Sequence, residues 1–330
     1  MPTCGVGRIN APFERKSARF TTYFEGYARV LMADMPRAKA AKLLRCDEKP
    51  MANILSYWAD KAVNARSLAN LEKPALDETS FKRGPDCATL VIDAVGRCVV
   101  DVEDGREKTT VAQFCEKLKA RGGDAANITA VTSDMSKTYC PAIEENFPNA
   151  EHVIDKFHVK QVMTNALEAV RRDEQKDAAG KKDLFRNRYL FMRPQGKLTG
   201  EEADRIAALS RRFPKTGKAF RIVACLDEFY ASPNMTEAKA SFKRLYSWMR
   251  RCRLRPMKDA AQTLWRYRPK ILAYFRARLT NAICEGIDAM VQAAKRKTRG
   301  YHTFEGYSAM IYLVAGKLNL ATPNPFRHFH

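Results

Sequence analysis

Three carboxylate side chains stand where they could act together on a phosphodiester bond. Asp77 ends a short β-type run, Asp134 ends another, and Glu285 lies in a helical segment further along the chain. Two Mg²⁺ ions roughly 3.5–4 Å apart can activate the attacking water and stabilise the leaving oxygen in such a reaction. Mg²⁺ is a hard cation that prefers carboxylate oxygen. The three acids therefore predict a two-metal site for Mg²⁺, with Mn²⁺ as a substitute.

Each acid taken alone has an ordinary structural alternative. An aspartate at the end of a strand is commonly a turn or cap residue, and a glutamate within a helix is commonly solvated. A catalytic role is favoured only by the three acids together, in the positions that the order of the elements assigns to them.

The segment 74–160 predicts a mixed five-stranded sheet. Its β-type runs are 75–77, 88–93, 97–102, 128–132 and 151–155, with helical segments at 110–121 and 137–146 and a further helix at 159–173. Three closely spaced strands that lead into βαβ units specify a mixed sheet with helices on its faces. This α/β order is that of the ribonuclease-H-like fold, whose first and fourth strands are neighbours. Asp77 and Asp134 would then meet at one edge of the sheet.

Helical periodicity dominates the rest of the chain after the sheet. Residues 179–270 predict a large all-α insertion, which separates residues 74–178 from the final catalytic helices at 271–316. One helix is expected from about Ile271 to Lys297, carrying Glu285, and another over 304–314. The tail 317–330, with two prolines, is expected to be flexible.

A helical region at 20–73 precedes the sheet, after a short amino-terminal remnant at 1–19. Two short helices joined by a tight turn over residues 36–58, with Asp47 as a helix cap, fit a helix-turn-helix. Lys49 and Asn53 would then be exposed on the recognition helix. A purely structural helical hairpin fits the pattern equally well.

The net charge of +21 predicts an anionic partner. Residues 181–300 hold 29 Lys and Arg against 10 Asp and Glu, so 19 of the 21 excess charges lie there. Nucleic acid or an acidic membrane face would both attract such a surface. The sequence has no basic amphipathic helix with an aromatic face, no apolar run of about 20 residues and no signal peptide. These features favour nucleic acid over a membrane and predict a soluble, intracellular protein.

The region from about residue 74 to 315 resembles the insertion-sequence transposases of the ISL3 group, which carry a DDE catalytic triad. The similar segments are Leu76–Thr79, Val131–Tyr139, Phe147–Ala150, Val153–Val159, Ala166–Arg172, Thr280–Gly286 and Lys295–Tyr301. The resemblance implies Asp77, Asp134 and Glu285 as the metal-binding triad. It also implies cleavage and joining of double-stranded DNA at the terminal inverted repeats and in the target, by a cytoplasmic protein associated with the nucleoid. Since transposition needs paired ends, a homodimer in the DNA complex is compatible with it.

Further site residues follow from the same resemblance. Asp155 and His158 match the D-x-x-H element that several DDE groups carry after the second acid, where they would contact phosphate or position the DNA. The alternative for His158 is a buried, hydrogen-bonded histidine that supports the sheet edge. Asn281 precedes Glu285 by four residues, which puts both on one helix face, within reach of DNA or a metal-bound water.

A basic run follows the Glu285 helix, at Lys295, Arg296, Lys297 and Arg299. Contact with DNA phosphates is favoured over the alternative of a merely solvated helix end. Trp248 and Trp265 have helical apolar spacing, which favours core positions over base stacking.

Two departures from the group leave a second hypothesis open. Members usually begin with a cysteine-rich zinc-binding segment, and only Cys4 stands in its place here. Asp288 replaces an expected Asn and could weaken DNA contact or add a metal ligand. The nine single cysteines, without a C-x-x-C pair, are expected to be reduced thiols. The alternative function is therefore a catalytically inactive or truncated transposase-derived DNA-binding protein.

Overall fold

The computed structural model describes residues 13–16, 18–82, 86–105, 107–177, 181–277, 279, 282–298 and 300–318. The chain divides into two compact units. The first contains the elements up to residue 128 and those from residue 282 onwards, and the second contains residues 129–281. Cys4, Asn281, Arg299 and most of the tail predicted to be flexible lie outside the described residues.

In the first unit, six α-helices accompany three strands within the described residues. They are α1 (Thr22–Asp34), α2 (Arg37–Leu43), α3 (Glu48–Ala65), β1 (Pro74–Ser80), β2 (Cys87–Asp93), β3 (Cys98–Asp104), α4 (Lys108–Ala120), α14 (Ala282–Thr298) and α15 (Phe304–Ala315).

The second unit contains two strands and is otherwise helical where it is described. Its elements are β4 (Ala130–Ser133), α5 (Tyr139–Asn146), β5 (Glu151–Ile154), α6 (Lys156–Asp177), α7 (Lys181–Arg186), α8 (Arg188–Met192), α9 (Gly200–Arg212), α10 (Pro214–Tyr230), α11 (Met235–Arg251), α12 (Arg255–Arg266) and α13 (Arg268–Ala277). No helix in the described part of the chain is both long enough and apolar enough to span a membrane.

The strands of both kinds of pairing that the sequence predicts are present, three in the first unit and two in the second. In the first unit, β1 and β2 pair antiparallel with Asp77 opposite Leu90, and β3 continues the meander. In the second unit, β4 and β5 pair parallel with Ser133 opposite Ile154. Residues 88–92 of β2 are fully buried, as expected of a strand that is covered on both faces.

Each unit has its own hydrophobic core. In the first, the apolar face of α3 (Met51, Ile54 and Trp58 among others) packs with α15 and the strands. In the second, the core lies mainly among α6 and α9 to α13. Helices with one apolar face are stabilised by this packing, because propensity alone holds short helices only marginally.

The turn between α2 and α3 has the tight geometry that the helix-turn-helix pattern predicts. Arg45 adopts a left-handed backbone with φ of 53°, and the amide of Cys46 donates to the carbonyl of Ala41 at 3.0 Å. This bond closes the end of α2 in the manner of a Schellman motif. Asp47 stands at the N-cap position of α3 with an extended backbone, but its side chain makes no hydrogen bond to the helix end, so the predicted capping by its side chain is wrong.

Two expectations about the helices are wrong. The single helix expected over 271–297 is two helices, because α13 ends at Ala277, Leu279 is not helical, and α14 begins at Ala282. Trp248 and Trp265 are not core residues, with 37% and 43% of their surfaces exposed. The buried faces of their helices are formed by neighbours such as Met249 and Leu264, one residue away and therefore on another side of the helix.

Candidate active site

Asp77 lies in the middle of β1, within the first unit. The strand continues beyond the predicted run to Ser80, so Asp77 is a strand residue rather than a strand end. Its side chain is half-buried, and its Oδ1 accepts a hydrogen bond from the amide of Glu78 at 2.9 Å. A half-buried carboxylate on a regular strand has restricted freedom, as a metal ligand needs.

Helix α14, which carries Glu285, is tied to β1 by side-chain hydrogen bonds. The buried hydroxyl of Thr79 donates to Asp288 Oδ1 at 3.2 Å and accepts from Gln292 Nε2 at 2.9 Å. Gln292 Nε2 also donates to Asp288 Oδ1, at 3.3 Å. One turn further, Lys295 Nζ donates to the carbonyl of Ser80 at 2.6 Å.

These bonds define which face of α14 meets β1. Asp77 and Thr79 are two residues apart on a strand and therefore share a face. Glu285 precedes Asp288 by three residues and therefore lies on the same side of α14. We infer that Asp77 and Glu285 lie on the facing sides of β1 and α14. Glu285 itself is exposed, in the first turn of the helix.

Asp288 has a structural role that the sequence did not reveal. Its Oδ1 accepts hydrogen bonds from Thr79 and Gln292, so the acid that departs from the group's pattern joins α14 to β1. Thr79 and Gln292 were also missed as positioning residues. Thr79 stands two residues after Asp77, and Gln292 stands seven residues after Glu285. This spacing was the only signal in the sequence that could have identified them.

Asp134 follows β4 directly, in the second unit. It is half-buried, and its Oδ1 accepts from the amide of Ser136 at 3.1 Å, which closes a turn after the strand. Burial raises the pKa of Asp134, while the nearby His158 and the bond from Ser136 oppose this shift. The carboxylate therefore sits in a site where a cation would favour its ionised form.

A buried histidine supports the strand end before Asp134. His152 Nε2 lies 2.8 Å from Ser133 Oγ, and Ser133 Oγ donates to the carbonyl of Asp134 at 3.0 Å. Because Ser133 has one hydroxyl proton, His152 Nε2 is the donor to Ser133. Burial lowers the pKa of His152 to about 3, so the ring is neutral. His152 thus has a structural role.

Asp155 and His158 lie at the start of α6, next to β5. Asp155 is buried, and its amide donates to the carbonyl of Ser133 at 2.9 Å. His158 is partly exposed, with Nε2 at 3.9 Å from Asp155 Oδ2, which is too long for a hydrogen bond. The second unit therefore brings Asp134, Asp155 and His158 into one neighbourhood, with the imidazole accessible rather than buried.

The basic run after Glu285 divides into two kinds of residue. Lys295 Nζ is bound to Ser80, and Lys297 Nζ donates to the carbonyl of Asp34 at 3.2 Å at the end of α1. Arg296 is exposed. Contact with DNA was predicted for all of them. Arg296 fits that prediction best, because its side chain is exposed while those of Lys295 and Lys297 are hydrogen-bonded to the protein.

The two residues predicted for the recognition helix are both on the surface. Lys49 and Asn53, one turn apart on α3, are exposed. They line a cavity of about 390 Å³ together with Arg15, Arg19 and Phe20. The helix below them is anchored by Trp58, whose Nε1 donates to the fully buried Glu25 at 2.6 Å. Glu25 in turn accepts from Arg15 at 2.8 Å.

The carboxylates suit a hard divalent cation in their chemistry. In the residues that the structure describes, no three His, Cys, Asp or Glu side chains are grouped so that they could hold a metal ion. Of the three predicted acids, Asp77 and Glu285 belong to the first unit and Asp134 belongs to the second. The described cysteines are free thiols.

The chain is similar to known transposases, as a family model and two relatives show. The family model for DDE transposases of the ISL3 group, described as "Transposase", matches residues 75–311. The transposase for insertion sequence element IS1557 of Mycobacterium tuberculosis is 25% identical over 355 residues, which cover 100% of this chain and 79% of the relative. The transposase for insertion sequence element IS1001 of Bordetella parapertussis is 29% identical over 247 residues, which cover 72% of this chain and 59% of the relative.

Proposed function

The chain belongs to the ISL3 family of insertion-sequence transposases, and on that premise we propose that it cleaves and joins DNA at insertion-sequence ends by two-metal catalysis. Asp77, Asp134 and Glu285 are the proposed metal-binding and catalytic residues. The catalytic part has a ribonuclease-H-like fold in this proposal, interrupted by the helical insertion before Glu285.

One observation carries the proposal furthest. Asp77 and Glu285 are more than 200 positions apart in the sequence, yet β1 and α14 are tied together by Thr79, Asp288 and Gln292. The two carboxylates lie on facing sides of a strand and a helix that are hydrogen-bonded to each other. A catalytic pair needs such fixed supporting elements. Asp134, whose pKa is raised by burial, is the proposed third carboxylate.

Each proposed site residue has its own role in the reaction. Bound Mg²⁺ or Mn²⁺ supplies an activated water or hydroxyl and stabilises the leaving oxygen. Asp77 and Asp134 hold the cations, and Glu285 completes the second site. Asp155 and His158 position the DNA near Asp134, and Asn281 does so near Glu285. Cleavage leaves a 3′-hydroxyl at the element's end, which then attacks the target DNA.

DNA is held by separate parts of the chain. Helices α2 and α3 act as a helix-turn-helix, with Lys49 and Asn53 reading the terminal inverted repeat. Arg296, with Lys295, Lys297 and Arg299, contacts phosphates, and the basic insertion attracts DNA over a longer range. A homodimer pairs the two ends, and the protein acts at the nucleoid, where its DNA is.

A second candidate is a DNA-binding protein without catalysis. It needs only the basic surface, and 19 of the 21 excess positive charges lie between residues 181 and 300. It predicts salt-sensitive DNA binding that survives the loss of all three acids, without cleavage in any metal.

The test is strand nicking and joining on a duplex that carries the element's own terminal repeat, with Mg²⁺ or Mn²⁺. The expected result is metal-dependent nicking that Asp134→Ala abolishes while DNA binding persists. Asp227→Ala, which removes a partly exposed aspartate of the same unit, is the matched control. Products that are unchanged in Asp134→Ala would exclude this mechanism, and wild-type binding without products would favour the second candidate.

A further inference from the structure

Three cavities on the first unit adjoin one another. The first, of about 390 Å³, lies beside α3, and the second, of about 470 Å³, shares Lys49 with it. The third, of about 950 Å³, shares Thr298, Gly300, Tyr301 and His302 with the second and reaches Ser80 at the end of β1. Cavities that share lining residues in this way can form one groove.

The lining of this groove is basic. Seven Lys and Arg residues line the three cavities, against the two acids Asp47 and Glu48. Three of the seven have partners within the unit, since Arg15 pairs with Glu25, Arg37 with Glu48, and Lys295 with Ser80. The other four are exposed and spread along the groove: Arg19, Lys49, Lys82 and Arg296.

The two ends of the groove have different neighbours. At one end stands Asn53, on the predicted recognition helix. At the other end stands Ser80, three residues or about 10 Å along the extended strand from Asp77. Arg296 is on the same helix as Glu285, about 17 Å further along it. The groove therefore leads from the recognition helix towards the two acids of the same unit.

We propose that these cavities form one continuous track for duplex DNA, so that a single chain leads the DNA read by α3 to its own Asp77 and Glu285. The proposal rests on the proposed function, and it adds Arg19 and Lys82 as phosphate contacts at opposite ends. Alternating basic residues along a groove fit the regular phosphates of one DNA strand. Recognition and cleavage of one end would then belong to the same chain.

The proposal is tested by DNA binding with the full chain and a 30-base-pair duplex, measured by fluorescence anisotropy over a range of salt concentrations. The variants are Arg19→Gln and Lys49→Gln at one end, and Lys82→Gln and Arg296→Gln at the other. Lys119→Gln, on α4 and outside the three cavities, is the matched control. Circular dichroism of each variant verifies its fold.

Each of the four variants is expected to weaken binding several-fold and to reduce the slope of log K against log salt by about 0.9. Lys119→Gln is expected to leave both unchanged. At concentrations well above Kd, one duplex should bind per chain.

Three results would overturn the track. Effects confined to Arg19 and Lys49 would mean that α3 binds DNA alone, and two duplexes per chain would mean that the two ends act separately. An equal effect of Lys119→Gln would indicate unspecific attraction by net charge. If the wild-type chain binds no duplex at all, the proposed function itself fails, and the track fails with it.

Discussion

The hydroxyl of Thr79 on β1 donates to the carboxylate of Asp288 on α14, with 3.2 Å between Oγ1 and Oδ1. Through this bond, residues more than 200 positions apart in the chain bring the strand of Asp77 against the helix of Glu285. Gln292 completes the contact from one turn further along α14. The position of the proposed catalytic pair thus depends on side chains that take no part in the chemistry.

Thr79→Val should therefore lower the nicking rate by more than its effect on stability explains. Valine has the shape of threonine without the hydroxyl, so Asp288 and Gln292 lose a partner in a buried place. The cost in unfolding free energy should be about 1–3 kcal/mol. The rate is measured in single turnover with saturating DNA, and stability by urea unfolding.

Thr89→Val is the matched control for that variant. Thr89 is equally buried, on the neighbouring strand, and its hydroxyl donates to the carbonyl of Gly105 at 2.7 Å. It should lose similar stability and keep the nicking rate. A rate that falls equally in both variants would refute the positioning role of Thr79.

Asp288→Asn should have little effect on nicking, because the amide Oδ1 can accept the same two hydrogen bonds. A metal ligand would behave differently, since replacing a carboxylate by an amide removes the charge that binds the cation. Metal titrations of the nicking rate distinguish the two. A strong rise in the Mg²⁺ concentration needed by Asp288→Asn would show that Asp288 is a ligand after all.

Glu25→Gln should destabilise the first unit by about 3 kcal/mol, because it removes one partner of a buried ion pair. Glu25 is fully buried, and it holds Trp58 of α3 and Arg15. Thermal and urea unfolding measure this loss. Glu48→Gln breaks an exposed pair with Arg37 and should cost less than about 1 kcal/mol. Equal losses in the two variants would contradict the anchoring role of Glu25.

Glu103 should make stability fall as pH rises. Burial, with the neighbouring Asp101, raises the pKa of Glu103 to about 7, above its ordinary value of 4.5. Between these values the folded chain binds more protons than the unfolded chain, so a rise in pH favours unfolding. The contribution is fully present below about pH 4.5 and is lost as pH passes through about 7.

Glu103→Gln should flatten the curve of unfolding free energy against pH in that window, measured by urea unfolding at several pH values. Asp104→Asn changes the exposed neighbour on the same strand and should leave the slope as it is. An unchanged slope in Glu103→Gln would mean that the pKa of Glu103 is not raised.

The sequence predicted the strands well, because runs such as 88–92 are apolar enough to be read as buried strands without tertiary information. The break between α13 and α14 could not be predicted, since no glycine or proline stands between Ala277 and Ala282. Trp265 lies at the surface and stacks with Tyr246 and Arg268 from two other helices, contacts that helical spacing alone does not reveal. The role of Asp288 likewise depends on Thr79, which only the folded chain brings to it.

The most direct measurement is the single-turnover rate of Mg²⁺-dependent nicking at the element's terminal repeat for Glu285→Gln beside Glu305→Gln. Both glutamates are exposed and stand in the first turn of a helix, α14 and α15 respectively. Glu285→Gln should lower the rate roughly a thousandfold, because several kcal/mol of transition-state stabilisation are lost with a metal ligand. Glu305→Gln should nick as the wild type does, and both variants should bind the DNA normally. Wild-type nicking by Glu285→Gln would contradict the assignment of Glu285 to the catalytic triad.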